Sequence, residues 1–248
     1  KESELKGRYT FKEIDATNVS SLEGVFEGCD VVISTVGLTT SSTKFSCYDI
    51  DYQGNVNIYN EAKKANVKKF VYTSVIACDH KDAKKVPMLN SKKMFEDVLK
   101  SGDIEYVIHR PTGYFYDIIK VFRPYIEKGE MQLLKGFGGV KANVVDCPDF
   151  AQFIVDTMNE TNKVFEVGGK ETYTYEEMAK MCFESAGKEV VIKYVPKFLF
   201  SVLANLPKIK KQGKRDVILF SQFTLSHNLV GHDEVGEASF KEYIDNAF

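Results

Sequence analysis

Three strand-like stretches rich in apolar residues, separated by segments with helical spacing, limit the fold most narrowly. The runs are VVISTVG (31–37), KKFVYTSV (68–75) and IEYVIHRP (104–111), and each is rich in β-branched residues. Strands of this kind are buried on both faces, as in parallel sheets. The segments between them, 48–67 and 91–101, carry apolar residues at helical spacing. Strand and helix therefore alternate with short connections, which predicts an α/β fold with a doubly wound parallel sheet.

The first thirty residues are less regular. We expect a short extended piece at 9–15 and a helix over 18–30 that Ser20 or Ser21 would cap. The sequence contains no glycine-rich phosphate turn of the kind that follows the first strand of dinucleotide-binding domains. Because the strand at 31–37 would otherwise have an open apolar edge, we expect two strands and such a turn to precede Lys1.

After Pro111 the alternation of strand and helix loosens. We expect residues 131–158 to form a hairpin-like segment followed by a helix that Pro148 and Asp149 begin. KVFEVGG (163–169) has the apolar character of a further strand.

A second helix is well marked over 172–187. Thr174 is its expected N-cap, and Glu177 completes a capping box three residues later. We therefore predict a doubly wound, Rossmann-like domain over 1–130 and a smaller C-terminal lobe over 131–248, partly interleaved with the first.

Composition excludes several classes of protein. A net charge of -2 shows no basic excess of the kind that nucleic-acid binding requires. No apolar run approaches the roughly 20 residues that span a bilayer. The five cysteines are scattered and include no C-x-x-C pair, which indicates reduced thiols and a cytoplasmic location.

Four stretches in order carry a family resemblance: GVFEGCDVVISTVG, DYQGNVNIYNEAKKANVKKFVYTSV, NSKKMFEDVLKSGDIEYVIHRPTGYFYD and KVFEVGGKETYTYEEMAKMCFESAGK. In them the chain resembles the atypical short-chain dehydrogenase/reductases, which include NmrA-like regulators, isoflavone-reductase-like enzymes and complex I accessory subunits. The resemblance covers nearly the whole chain. It implies an oxidoreductase-type, NAD(P)-binding fold with a small-molecule substrate, and it favours NADP over NAD.

The resemblance also implies where the cofactor lies, namely across the carboxyl ends of the strands. A first group would border the adenosine half, a second the nicotinamide ribose and a third the carboxamide. These residues are, in turn, Ser34, Thr35, Val36 and Gly37; Thr73 and Ser74; and Pro111, Thr112, Gly113 and Tyr114.

Related enzymes move a proton with a serine and a Y-x-x-x-K pair, in which the lysine also holds the ribose. Lys92 matches the lysine, with Glu96 one turn later, but Met88 occupies the tyrosine position. The serine position falls on Val75, or on Ser74 after a slip of one residue. The resemblance therefore implies Lys92 and Ser74 as catalytic and Lys92 as cofactor-binding, with an incomplete proton relay.

Other side chains could supply the proton. Tyr72, Tyr114 and Tyr116 are either replacements for the missing tyrosine or packing residues. His80 is either a spare acid–base group or a solvated loop residue, since histidine titrates near neutrality. His109 lies within a strand and is expected in the core.

The remaining motifs are weaker. His227 and His232 have no third ligand at metal spacing, so we assign no metal. Asp146 and Asp149 are expected to complement a helix dipole. The segment 197–211 combines an apolar face with basic flanks and is interpreted as a lid or core helix, a partner-binding helix or an interfacial anchor.

Two functions follow, together with a third that the residues support less well. The first is an NAD(P)H-dependent reductase of a small organic substrate, anchored on Lys92. The second is a dinucleotide-binding redox sensor or structural subunit without turnover, which Met88 and Val75 favour. The third is an interaction module that has lost the nucleotide, and a homodimer is considered for any of them.

Overall fold

The computed structural model describes residues 9–38, 42–211 and 214–248. Within them the strands are β1 (Val31–Ser34), β2 (Lys69–Thr73), β3 (Glu105–Pro111), β4 (Met131–Leu134), β5 (Lys141–Ala142), β6 (Lys163–Gly169), β7 (Tyr173–Thr174), β8 (Ile192–Val195) and β9 (Asp233–Val235). The α-helices are α1 (Asn55–Lys64), α2 (Pro87–Ser101), α3 (Phe115–Lys128), α4 (Cys147–Thr157), α5 (Tyr175–Ser185), α6 (Lys197–Asn205), α7 (Pro207–Lys211), α8 (Arg215–Thr224) and α9 (Phe240–Asp245).

The centre is a five-stranded sheet in the order β1-β2-β3-β6-β9, with every neighbouring pair parallel. Its first three strands occupy the three apolar runs of the sequence. Both faces are covered: Phe70 packs with Phe95 of α2 on one face, while Val71 packs with Phe150 of α4 on the other. Burial on both faces explains the apolar residues of β2 and β3, whereas Ile33 of β1 is 46% exposed. The predicted parallel α/β fold is confirmed.

The prediction of a helix over 18–30 is wrong. Only a single 3₁₀ turn forms, over Val19–Leu22, and its cap is Asn18, whose side chain accepts from the backbone N–H of Ser20. Gly24 and Gly28 follow with positive φ angles of 66° and 76°. Two residues in this left-handed region interrupt the helical path and turn the chain instead.

Two extended predictions also differ from the structure. Residues 9–15 form no strand, and the hairpin expected within 131–158 does not form. There, β4 pairs in parallel with β8, and β5 pairs with β7. Both partner strands, β8 and β7, lie after residue 158, so the sequence of 131–158 alone cannot indicate these pairings.

The later helices follow their sequence signals closely. Helix α2 begins at Pro87, four residues before the predicted start, because proline at the first helical position lacks only an N–H that would be unpaired anyway. Helix α4 begins at Cys147, directly before Pro148. The capping box of Thr174 and Glu177 begins α5 as predicted. The proposed division at residue 130 stays a prediction.

Helix α6 exposes its apolar side chains, with Phe198 63% and Val202 54% exposed. Only Ala204 of this helix is buried, so α6 is not a core helix. Among the described residues, no helix combines the length and the apolar character needed to cross a bilayer.

Candidate functional site

The carboxyl ends of β1, β2 and β3 meet at one edge of the sheet, and Lys92 of α2 lies there. Its ammonium is 3.0 Å from Oδ1 of Asp51 and 5.6 Å from the ring centre of Tyr72. The Lys92 side chain is 17% exposed, whereas Asp51 is 1% exposed. Oδ1 of Asp51 receives no aligned hydrogen bond from the described residues. The contact is thus an ion pair that fixes the ammonium at the strand ends while leaving it partly exposed.

Gly37 passes directly beside this ion pair. A Cβ at position 37 would lie 2.7 Å from both Asp51 Oδ1 and Lys92 Nζ. The next residue, Leu38, donates its N–H to Asp51 Oδ2 at 3.0 Å. A side chain at position 37 would therefore displace Lys92 or Asp51, which is why the chain needs glycine there.

A buried amide network shapes the turn after β1. Ser34 donates its hydroxyl to Oδ1 of Asn55 at 2.6 Å, and the Asn55 amide donates to the carbonyls of Val36 and Asp51 at 3.1 and 2.9 Å. The Ser34 hydroxyl therefore stabilises the turn after β1 rather than facing a ligand. Thr35 is exposed and faces solvent.

The two hydroxyl residues at the end of β2 have different surroundings. Thr73 Oγ1 is buried and has no hydrogen-bond partner among the described residues. Ser74 Oγ lies 3.9 Å from Sγ of Cys78, which donates to Glu96 at 3.2 Å. Thr73 thus needs a partner, while Ser74 belongs to the surroundings of Glu96.

Glu96 and Arg110 form a buried, bidentate ion pair that joins α2 to β3. Arg110 donates from Nε and Nη2 at 2.9 and 2.7 Å, and Lys100 donates to the same carboxylate at 2.8 Å. Burial alone would raise the pKa of Glu96, but the hydrogen bonds and charge of Arg110, with Lys100, lower it to about 2. The pair therefore holds α2, and Lys92 with it, against the sheet.

The predicted residues at the end of β3 all contact neighbouring protein segments: Pro111, Thr112, Gly113 and Tyr114. Thr112 donates its hydroxyl to the carbonyl of Asn143 at 2.8 Å, and the Gly113 carbonyl accepts from Val145 at 2.8 Å. The Tyr114 ring packs on Phe150, and burial raises the pKa of its hydroxyl. These contacts attach residues 143–145 to the end of β3.

Comparison with known proteins adds the family to this geometry. The profile of the NAD(P)H-binding family matches residues 1–161, which is well over half of the 248 residues. The chain belongs to the NAD(P)H-binding family. The predicted resemblance is thereby confirmed at the level of the family.

Individual relatives are distant. The Photosystem II assembly factor Ycf39 of Guillardia theta is 22% identical over 77% of this chain and 59% of its own length. The mitochondrial NADH-ubiquinone oxidoreductase 40 kDa subunit of Neurospora crassa is 24% identical over 81% of this chain and 53% of its own. The chain thus spans between half and two thirds of these curated relatives.

A solved structure gives the same fold. The NADPH-dependent quinone oxidoreductase QOR2 of Escherichia coli, complexed with NADPH, superposes with a TM-score of 0.71 at 19% identity. The match covers 96% of this chain and 83% of the other. At this identity the likeness establishes the fold alone.

The residues at the strand ends fit a dinucleotide in an NAD(P)H-binding protein. Lys92 offers a partly exposed ammonium that is paired with Asp51. Gly37 allows the backbone to pass close to this ion pair. Among the other predicted positions, Ser34 and Thr112 bond within the protein, whereas Thr35 faces solvent.

The proton relay of the related enzymes has no complete counterpart among the described residues. Met88 lies one turn before Lys92 on α2, and Val75 packs against an apolar cluster. Tyr72 lies beside Lys92, but its hydroxyl is fully buried, and burial raises its pKa well above the ordinary value. Tyr116 is largely exposed.

His109 is a core residue, as predicted. It is fully buried, its Nε2 lies 2.7 Å from the hydroxyl of Thr157, and its ring stacks on Phe165. Burial lowers the pKa of His109 to about 4, so the imidazole is neutral near pH 7.

Sequence reasoning missed Asp51 and Arg110 as site residues. Asp51 is one of two acids in YDIDYQG, and nothing in the spacing distinguishes it from Asp49. The available signal is Asn55 four residues later, which places both polar side chains on one face of a helix beside a buried strand.

Proposed function

We propose that the protein is an NAD(P)H-dependent reductase of a small organic acceptor, with Lys92 as the cation that holds the dinucleotide. One observation carries the proposal. The Lys92 ammonium is partly exposed at the meeting point of three parallel strands and is held there by buried Asp51. An ammonium in this position can donate to the hydroxyls of a ribose.

The absence of a tyrosine at position 88 limits which classes of electron acceptor the protein could reduce. Bound NAD(P)H supplies a hydride, and the reduced product then needs a proton. Reduction of a simple ketone produces a strongly basic alkoxide, which needs an acid such as the tyrosine that Met88 replaces. Reduction of a quinone produces a stabilised phenolate-type anion that water can protonate. The residues around Lys92 therefore favour quinone-like acceptors.

A second function is favoured by the same positions. Met88 and Val75 carry no proton to transfer, which suits a dinucleotide-binding protein without turnover. The names of the two curated relatives, an assembly factor and a subunit, are compatible with such a role. In this case Lys92 would bind the cofactor and the reaction would be absent.

Titration with NADPH and NADH, followed by nicotinamide fluorescence, tests binding. We expect binding, tighter for NADPH, and then loss of the reduced-nicotinamide absorbance when a quinone is added. An aliphatic ketone should react about 100-fold more slowly, because it lacks the general acid. Binding without any oxidation would support the second function, and no binding would contradict both.

A further inference from the structure

Two histidines and an aspartate from distant parts of the chain meet on the surface. His80 and Asp82 lie in the loop after β2, and His227 follows helix α8. Oδ2 of Asp82 is 3.5 Å from Nε2 of His227 and 3.9 Å from Nδ1 of His80. One ligand atom from each residue lies within 4.8 Å of the other two.

The imidazole of His227 is already oriented as a ligand. Its Nδ1 lies 2.9 Å from the carbonyl oxygen of Phe223, and its ring stacks on the Phe223 ring at 4.2 Å. The carbonyl can only accept, and the Ser226 hydroxyl 3.2 Å from Nδ1 can accept as well. The tautomer with its proton on Nδ1 satisfies both contacts and presents the Nε2 lone pair to Asp82. Metal-binding histidines are commonly fixed in this way by a carbonyl on the second ring nitrogen.

His80 exchanges one backbone hydrogen bond for the metal when its Nδ1 acts as the ligand. Its Nδ1 accepts a 3.2 Å hydrogen bond from the N–H of Asp82, and its ring centre is 4.8 Å from that of His227. Zinc bonds of about 2 Å in a tetrahedron place neighbouring ligand atoms about 3.3 Å apart. The side chains of His80 and Asp82 are 37% and 46% exposed, so they can close this distance without repacking the core.

We propose that His80, Asp82 and His227 bind a divalent transition metal, with zinc the best match. Two imidazoles and one carboxylate suit zinc, whereas magnesium and calcium take mainly oxygen ligands. The three residues leave a fourth position for water. The metal joins the loop after β2 to the end of α8, and this site is independent of the proposed reductase activity.

A zinc titration against a chromophoric chelator tests the site. The chelator-treated protein carries serine at Cys29 and Cys147, the two exposed cysteines, so that thiols do not compete. We expect one zinc per chain and a rise in the unfolding midpoint of about 5 °C at saturation. Cobalt should bind without a thiolate charge-transfer band, because no cysteine lies in the site.

Variants identify the ligands. His227→Gln and Asp82→Asn should abolish the zinc-dependent rise, while His232→Gln, at a side chain 83% exposed, should keep it. Circular dichroism of the zinc-free proteins, measured with the chelator present, verifies that each variant folds. If one of the two ligand variants does not fold, His80→Gln is tested in its place. Equal zinc affinity in wild type and His227→Gln, or no binding to the wild type, would overturn the proposal. NADPH binding measured in chelator stays unchanged in either case, which separates this test from that of the reductase.

Discussion

Replacing Glu96 with glutamine should lower the free energy of unfolding by about 3 kcal/mol. Glutamine keeps the shape of the side chain but removes the charge opposite Arg110, whose side chain is 5% exposed. Asp79, at 2.7 Å, and Glu166, at 3.3 Å, offset part of the loss. Chemical denaturation followed by circular dichroism measures the change.

Glu160→Gln is the matched control. Glu160 pairs with Lys163 at 3.4 Å, and both side chains are about half exposed. Exposed pairs of this type contribute at most about 1 kcal/mol, so the control should unfold almost as the wild type does. Similar losses in the two variants would show that the Glu96–Arg110 pair is no stronger than a surface contact.

The lowered pKa of Glu96 also predicts how the free energy of unfolding changes with pH. Against the burial that would raise it, Arg110 lowers the pKa of Glu96 from 4.5 to about 2 in the folded protein. A lowered pKa stabilises the fold above the unfolded value, so this contribution is full above pH 4.5 and is lost as the pH falls toward 2. Because Glu96→Gln lacks this titration, the stability difference between wild type and variant should shrink over that interval. A constant difference would contradict the assignment.

Replacing Lys92 with methionine should weaken NADPH binding by roughly 10- to 100-fold, the effect of losing charged hydrogen bonds. Lys93→Met is the control on the same helix, because Lys93 pairs with Asp97 one turn away. It should bind NADPH as the wild type does. Nicotinamide fluorescence titration compares the three proteins.

Loss of Lys92 also leaves the buried carboxylate of Asp51 without its partner. The binding measurement is therefore repeated in the double variant Lys92→Met/Asp51→Asn. Its amide at position 51 removes the unpaired buried charge that destabilises the single variant. We expect the double variant to regain stability but not NADPH affinity. Wild-type affinity in the double variant would eliminate Lys92 as a cofactor ligand.

The sequence predicted the sheet because its central strands are buried on both faces. The apolar residues of the runs at 68–75 and 104–111 reflect that burial directly in the local sequence. The helix at 18–30 was wrong because apolar spacing outweighed Gly24 and Gly28, whose positive φ angles end the helical path. The pairing of the short strands β4 and β5 could not be predicted either, because their partners lie far along the chain.

The site was predicted less completely than the fold. Lys92 came from the family resemblance, and its role as cofactor ligand stays a prediction. The pairing with Asp51 depends on how the π-helical turn Tyr48–Gly54 packs against α2 at the end of the sheet, which spacing along one helix cannot encode. For the same reason His80 and His227 gave no metal signal, although the fold brings them together.

Strand β9 has a consequence for synthesis of the protein. Residues 233–235 complete the sheet at its far edge by pairing with β6. During translation this edge of β6 stays unpaired until residues 233–235, more than sixty positions further along the chain, have been synthesised. A nascent sheet with an unpaired edge is a template for intermolecular pairing, so the emergence of β9 determines when this edge is protected from aggregation.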